Sequence, residues 1–228
     1  MVSVLAGLLL IAAAAGGVVR LGTGPADPVR GGSACAPIGF SAVGASFTQG
    51  DAWNPTGTRM HTDSVDPASW AYWTDADPRF TLEGGWALAG QMTSDVAGRV
   101  DAGWFPDDTK VVILLGTNDA MLGADPEQIG GHLHHIVEVS GALARDVTVV
   151  LLPPNDYAPA QVREINTELQ QVAAEAGWAV VDIGTAMGDG RGFFAEGVST
   201  DGIHLTEPWA RYAGETVAAA MGAHYPCP

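Results

Sequence analysis

KVVILLGTND, residues 110–119, is the stretch whose reading decides the fold. Five consecutive apolar residues, Val111 to Leu115, run without interruption into the polar turn Gly116-Thr117-Asn118-Asp119. A run this short, β-branched and unbroken predicts a strand buried on both faces, as in a parallel sheet, because a half-exposed strand would alternate. Outward from it the same signal repeats. Ile38 to Ala45 reads as a first strand, Phe80 to Leu88 as a weaker second, Lys110 to Gly116 as the third, Val147 to Leu152 as the fourth and Trp178 to Ile183 as the fifth. Helices fall between them. Pro126 to Ala144 carries Ile129, Leu133, Ile136, Val137 and Leu143 near helical spacing, with Asp125 as N-cap and Pro126 in the first turn. Ala158 to Ala176 is a second, stopped by Gly177, and Glu207 to Met221 is the last. Strands joined by helical crossovers predict an α/β chain. Its expected form is a three-layer doubly wound fold with a central five-stranded parallel sheet, whose ligands sit at the carboxyl ends of the strands.

That rule directs attention to residues just past the strand ends. Ser46, in Gly44-Ala45-Ser46-Phe47-Thr48, follows the first strand, Gly90 the second and Asn118 the third, while Asp201 and His204 lie in the long loop after the fifth. An Asp three residues before a His can hold and orient an imidazole within one turn. Such a pair needs a nucleophile, and Ser46 supplies the hydroxyl; the Asn118 amide can donate a hydrogen bond to a developing oxyanion. Taken singly, Asp-x-x-His and Gly-Thr-Asn-Asp are ordinary turn sequences. Their joint order and their common relation to strand ends point to acyl transfer through a serine.

These blocks resemble those of the SGNH hydrolases, also called GDSL-type esterases and lipases, over most of residues 38–222. Gly44-Ala45-Ser46 is similar to the family's Gly-Asp-Ser, and Gly90 to its isolated second-block glycine. Gly116-Thr117-Asn118-Asp119 and Asp201-Gly202-Ile203-His204 match its third and fifth blocks. The resemblance implies a flavodoxin-like sheet and a triad of Ser46, His204 and Asp201. It also implies an oxyanion hole made by the N–H groups of Ser46 and Gly90 and the side chain of Asn118, with no metal or cofactor. Ala45 departs from the family's Asp, which puts the support of the turn around Ser46 in question. The G-x-S-x-G elbow of another serine-esterase fold is absent, since Thr48 holds its last position.

Composition bounds the rest. The 228 residues fit one hydrolase domain, 31–228, preceded by a signal peptide or membrane anchor with a linker over 1–30. Residues 2–19 carry no charge, and both readings stay open: a secretory signal with Ala13 and Ala15 at an A-x-A cleavage position, or an uncleaved anchor attaching the chain to a membrane. Net charge is −16, with Lys110 the one lysine and the arginines scattered, which excludes the basic footprint of nucleic-acid binding. Cys35 and Cys227 bracket the domain and, in an exported chain, read as a disulfide joining its ends. The pattern carries no signal for an oligomeric state.

His132, His134 and His135, with Asp125 and Glu127 nearby, form a histidine-rich helical stretch. On a helix His134 points away from the other two, so a solvated face is expected there and no metal site. Trp53, Trp70, Tyr72 and Trp73 lie in a long insertion, residues 47–79, and with Trp86 and Trp104 they either wall the site or pack the insertion onto the sheet. The leading functional expectation is an exported or extracytoplasmic serine esterase acting on small, lipid-linked or carbohydrate-linked esters. The alternatives are an acyltransferase using the same triad and a non-catalytic envelope-binding domain of the same fold.

Overall fold

The computed structural model describes residues 35–51 and 54–226. The expected signal or anchor over residues 1–30, Trp53 and Cys227 lie outside them. Among the described residues no helix is long and apolar enough to cross a membrane.

The elements run β1 (Ile38–Gly44), α1 (Ser46–Gln49), β2 (Thr58–Arg59), α2 (Trp70–Asp75), β3 (Phe80–Ala87), α3 (Thr93–Ala97), β4 (Lys110–Leu114), α4 (Thr117–Leu122), α5 (Pro126–Ser140), β5 (Val147–Leu151), α6 (Pro159–Ala176), β6 (Ala179–Asp182) and α7 (Glu207–His224). The five expected strands are present, but the sheet has six, in the order β2-β3-β1-β4-β5-β6. The unexpected member is β2, two residues paired antiparallel to the edge of β3 through Thr58 and Arg59. So short a strand has no period to detect. Its effect is to cover the edge of β3 with a turn of the insertion.

All other pairings are parallel. With β2 set aside, the strand order is that of a flavodoxin-like sheet, and its topological switch point lies between β1 and β4. The central strands are apolar because both faces are covered: Val112, Ile113 and Val150 are fully buried. Helix α5 packs against α3 and α6, and α7 packs against α2. The crossing of α2 and α7 is close because Gly214 presents no side chain to the Trp70 carbonyl and the Trp73 Cβ. The weak signal of β3 has a local cause, a register shift against β1 between Phe40 and Ser41, where Glu83 is passed over and Gly84-Gly85 follows.

Helix limits differ from expectation in two places. The helix expected to reach Ala144 stops at Ser140, because Gly141 adopts a left-handed conformation. Leu143 then leaves the apolar stripe and is exposed. The last helix continues past Met221 to His224.

Candidate active site

β1 ends at Gly44, and Ser46 is the first residue of α1 immediately beyond it. The turn is tight. A Cβ on Gly44 would collide with the Thr48 side chain and the Leu114 carbonyl, so only glycine lets β1 pass directly into the helix. Thr48 in turn accepts a hydrogen bond from the Trp70 indole N–H at 2.9 Å, and its carbonyl accepts the Ser69 hydroxyl at 2.7 Å, fastening the serine turn to α2. Ala45 is buried, and its carbonyl accepts the Thr48 and Gln49 N–H groups. Backbone bonds and the neighbours of Thr48 therefore brace the turn where the resembling family carries an Asp.

His204 Nε2 lies 3.0 Å from Ser46 Oγ. The other ring nitrogen, Nδ1, lies 2.7 Å from Asp201 Oδ2. Asp201 Oδ1 is held by its own loop: it accepts the His204 N–H at 2.7 Å, the Ile203 N–H at 2.9 Å and the Ser199 hydroxyl at 3.1 Å. Partial burial pushes the Asp201 carboxyl upward, but hydrogen bonds from the His204 ring and from the backbone of His204 and Ile203 outweigh it. The group stays well below the usual carboxylate range. An ionised carboxylate there favours the imidazole proton on Nδ1 and leaves the Nε2 lone pair toward the serine. The Phe47 ring centroid lies 5.9 Å from that of the imidazole.

Gly90 follows β3 in an exposed turn with φ 81°, a conformation L side chains rarely adopt. Nothing lies within 4 Å of where its Cβ would be. The glycine is thus demanded by backbone conformation, and the space beside it is open. Asn118 is on the first turn of α4, and its Nδ2 donates to the Gln91 carbonyl at 2.8 Å. That bond uses one of two amide hydrogens and leaves the other for a ligand.

Three residues to which the sequence pattern assigns no role, Gln49, Thr93 and Asp119, hold these parts together. Gln49 is fully buried; its Oε1 accepts the Ala89 N–H at 2.8 Å, linking the serine helix to the Gly90 turn. Asp119, also buried, accepts the Thr93 N–H at 2.9 Å and the Thr93 hydroxyl at 2.6 Å, pinning the start of α3 to α4. Ser46, His204 and Asp201 thus form one hydrogen-bonded set, and Gly90 and Asn118 stand just past the ends of β3 and β4, at the same carboxyl edge of the sheet as Ser46. Asp119 is legible as the last residue of its block, but its partner Thr93 is 26 residues away and only the fold reveals it.

The space beside the serine is a cavity of about 260 Å³ lined by Ser46, Phe47, Asp51, Ala68, Ala89 and His204, among others. No tryptophan among the described residues lines it. Trp70 is buried with its N–H on Thr48, Trp73 donates to the Pro67 carbonyl, and Trp86 stacks on Trp104 at 5.0 Å. Of the two expectations for these rings, packing is the one the structure bears out. The three histidines of α5 also go separate ways: His132 Nδ1 meets the Thr93 hydroxyl at 2.9 Å, the His134 ring lies against Trp178, and His135 faces Glu138. They gather no ligand set among the described residues.

The model of the GDSL-like lipase/acylhydrolase family matches residues 42–211. No curated protein matches the chain. Among solved structures, it is similar to a protein assigned to the lipolytic G-D-S-L family from Desulfitobacterium hafniense, with a TM-score of 0.65 at 20% identity over 80% of this chain and 99% of that one. A lipase/acylhydrolase from Enterococcus faecalis superposes with a TM-score of 0.62 at 19% identity over 84% and 99% of the two chains. An acetyl esterase carrying a serine-to-alanine substitution, solved with acetate, gives 0.56 at 18% identity over 81% and 96%. At these identities the likeness establishes the shared fold.

Proposed function

Because the chain belongs to the GDSL-like lipase/acylhydrolase family, an enzyme family of ester hydrolysis, we propose that it is an exported serine esterase whose triad is Ser46, His204 and Asp201. The observation that carries this reading is the unbroken hydrogen-bonded path from Asp201 through His204 to Ser46. Ser46 Oγ attacks the ester carbonyl carbon and passes its proton to His204 Nε2, while Asp201 steadies the imidazolium that results. The negative charge on the former carbonyl oxygen is met by the N–H groups of Ser46 and Gly90 and the remaining amide hydrogen of Asn118. Collapse of the tetrahedral intermediate breaks the bond to the alcohol, which leaves with the proton from His204. Water, deprotonated by the same imidazole, then attacks the acyl-serine and releases the carboxylic acid. The substrates of this reading are small, lipid-linked or carbohydrate-linked carboxylic esters.

Export is supported by the uncharged residues 2–19 and by the placement of Cys35 and Cys227 at the two ends of the domain. Non-reducing peptide mass spectrometry of protein collected outside the cytosol should recover Cys35 joined to Cys227, and recovery of two alkylatable thiols would count against an oxidising compartment.

The function is tested by exposing the purified full chain to a fluorophosphonate probe and a p-nitrophenyl ester series, with Ser46→Ala in parallel. Labelling at Ser46 and turnover that disappears in the variant are expected. Equal turnover by Ser46→Ala would overturn the mechanism, and a folded chain that neither labels nor hydrolyses would favour a binding domain of the same fold.

A further inference from the structure

The cavity beside Ser46 has an unbalanced charge. Of the described side chains that line it, Asp51 is the one carboxylate, and no lysine or arginine is among them. Asp51 is exposed, and among the described residues its carboxylate makes no ion pair. A second carboxylate stands behind the same wall: Asp66 Oδ1 accepts the Asp51 N–H at 3.2 Å and the Ala68 N–H at 2.9 Å, and it abuts Gly50. Apart from Ser46, Gly50 and His204, the remainder of the described lining is apolar or aromatic, from Phe47, Ala68, Ala89 and Leu205.

This combination selects by chemistry. An anionic substituent entering the cavity meets repulsion from Asp51 and Asp66, and no basic side chain in the lining offsets it. A primary ammonium has three N–H donors to satisfy, for which the described lining offers the Asp51 carboxylate and the Ser46 hydroxyl, the latter already engaged with His204. An alkylated ammonium needs no such acceptors: its methyl groups suit the apolar wall and its charge suits Asp51.

Resting on the esterase reading above, we propose that the preferred substrates are esters whose alcohol or acyl part carries an alkylated ammonium group, with Asp51 as the residue that sets the preference. An exposed charge pair of this kind changes kcat/KM by about two- to fivefold at low salt, and less as ionic strength rises.

The experiment compares acetylcholine with its uncharged carbon isostere, 3,3-dimethylbutyl acetate, on the full chain, in the wild type and in Asp51→Asn. The two esters match in shape, so their kcat/KM ratio isolates the charge. We expect a ratio of about two to five in the wild type at low salt. It should fall toward one both in Asp51→Asn and in the wild type at high salt, while the ratio of the variant changes less with salt than that of the wild type. A wild-type ratio near or below one, with the neutral ester turned over through Ser46, overturns this inference and leaves the esterase reading standing. A raised ratio that Asp51→Asn fails to lower, whether or not salt lowers it, overturns the assignment to Asp51. Failure of the wild type to hydrolyse either ester removes the cation preference, and the Ser46 labelling experiment then decides whether the esterase reading falls with it.

Discussion

Gln49 Oε1 accepts the Ala89 N–H at 2.8 Å across 40 residues of sequence, and this bond is what sets the Gly90 turn relative to the serine helix. The same side chain donates from Nε2 to the Asn54 carbonyl at 3.3 Å and to Thr58 Oγ1 at 3.1 Å, so one buried amide spans the serine turn, the insertion and the end of β3. The proposed oxyanion donors Ser46 and Gly90 belong to two different crossovers of the sheet. Their spacing depends on this bridge.

Removing it should therefore cost both stability and rate. Gln49→Ala leaves the Ala89 N–H without its acceptor and opens a gap in the core, with an expected loss of about 2–3 kcal/mol in urea unfolding. In the fraction that remains folded, kcat should fall more than KM changes if the displaced Gly90 N–H is the oxyanion donor proposed above. A variant with wild-type kcat would show that the bridge serves folding alone.

Asn118→Ala should lower kcat by about 100-fold or more, with little change in KM, since in the proposed mechanism the amide hydrogen not given to Gln91 meets the oxyanion. Asn118→Asp is the sharper control: it keeps the shape but cannot donate. If both variants retain more than about a tenth of the wild-type kcat, the oxyanion assignment is wrong.

Asp119→Ala strips Thr93 of the acceptor for its N–H and its hydroxyl in a buried place. The expected cost is about 1–3 kcal/mol, read as a fall in Tm of about 2–4 °C for each kcal/mol. Thr93→Val, which removes the hydroxyl bond and leaves the backbone bond in place, should cost less than Asp119→Ala. The reverse order in calorimetry would show that the hydroxyl, with its link to His132, matters more than the buried carboxylate.

The depressed titration of Asp201 fixes the sign of a pH effect. A carboxyl held below its ordinary range in the folded chain binds protons more weakly there than in the unfolded chain. Its stabilising contribution is present in full above the unfolded value of about 3.9 and is lost as the pH falls below that toward the folded value. The stability difference between wild type and Asp201→Asn should thus be constant near neutrality and shrink below about pH 4. Asp201 therefore stays ionised from neutrality down to below the ordinary carboxylate range. Asp201→Asn itself should lower kcat by about 10⁴-fold if serine triads elsewhere are a guide.

What can be read without coordinates follows from how each feature is written in the chain. Strands buried on both faces are apolar runs closed by turn residues, so β4 and β5 stand out; β1, the edge strand β6 with its Val180-Val181 pair, and β3 despite its Gly84-Gly85 irregularity are legible from their apolar content. Helices of many turns carry a periodic stripe, which locates α5, α6 and α7. The pattern overruns α5 because Leu143 prolongs the stripe past Gly141, whereas the backbone turns left-handed at that glycine and ends the helix. Helices of four to six residues, such as α1, α2 and α4, contain too few turns to show a period, and β2 has only two residues.

The sequence by itself determined the fold class and the residue types gathered at the strand ends, because hydrophobic burial and turn chemistry are local properties of the chain. Only the tertiary structure decided that Trp70, Trp86 and Trp104 pack inward, that Gln49 and Asp119 brace the site, and that Asp51 lines the cavity beside the serine. Those outcomes depend on distances between segments far apart in sequence. Such distances are set by how the helices cross the sheet, and no single stretch of sequence records them.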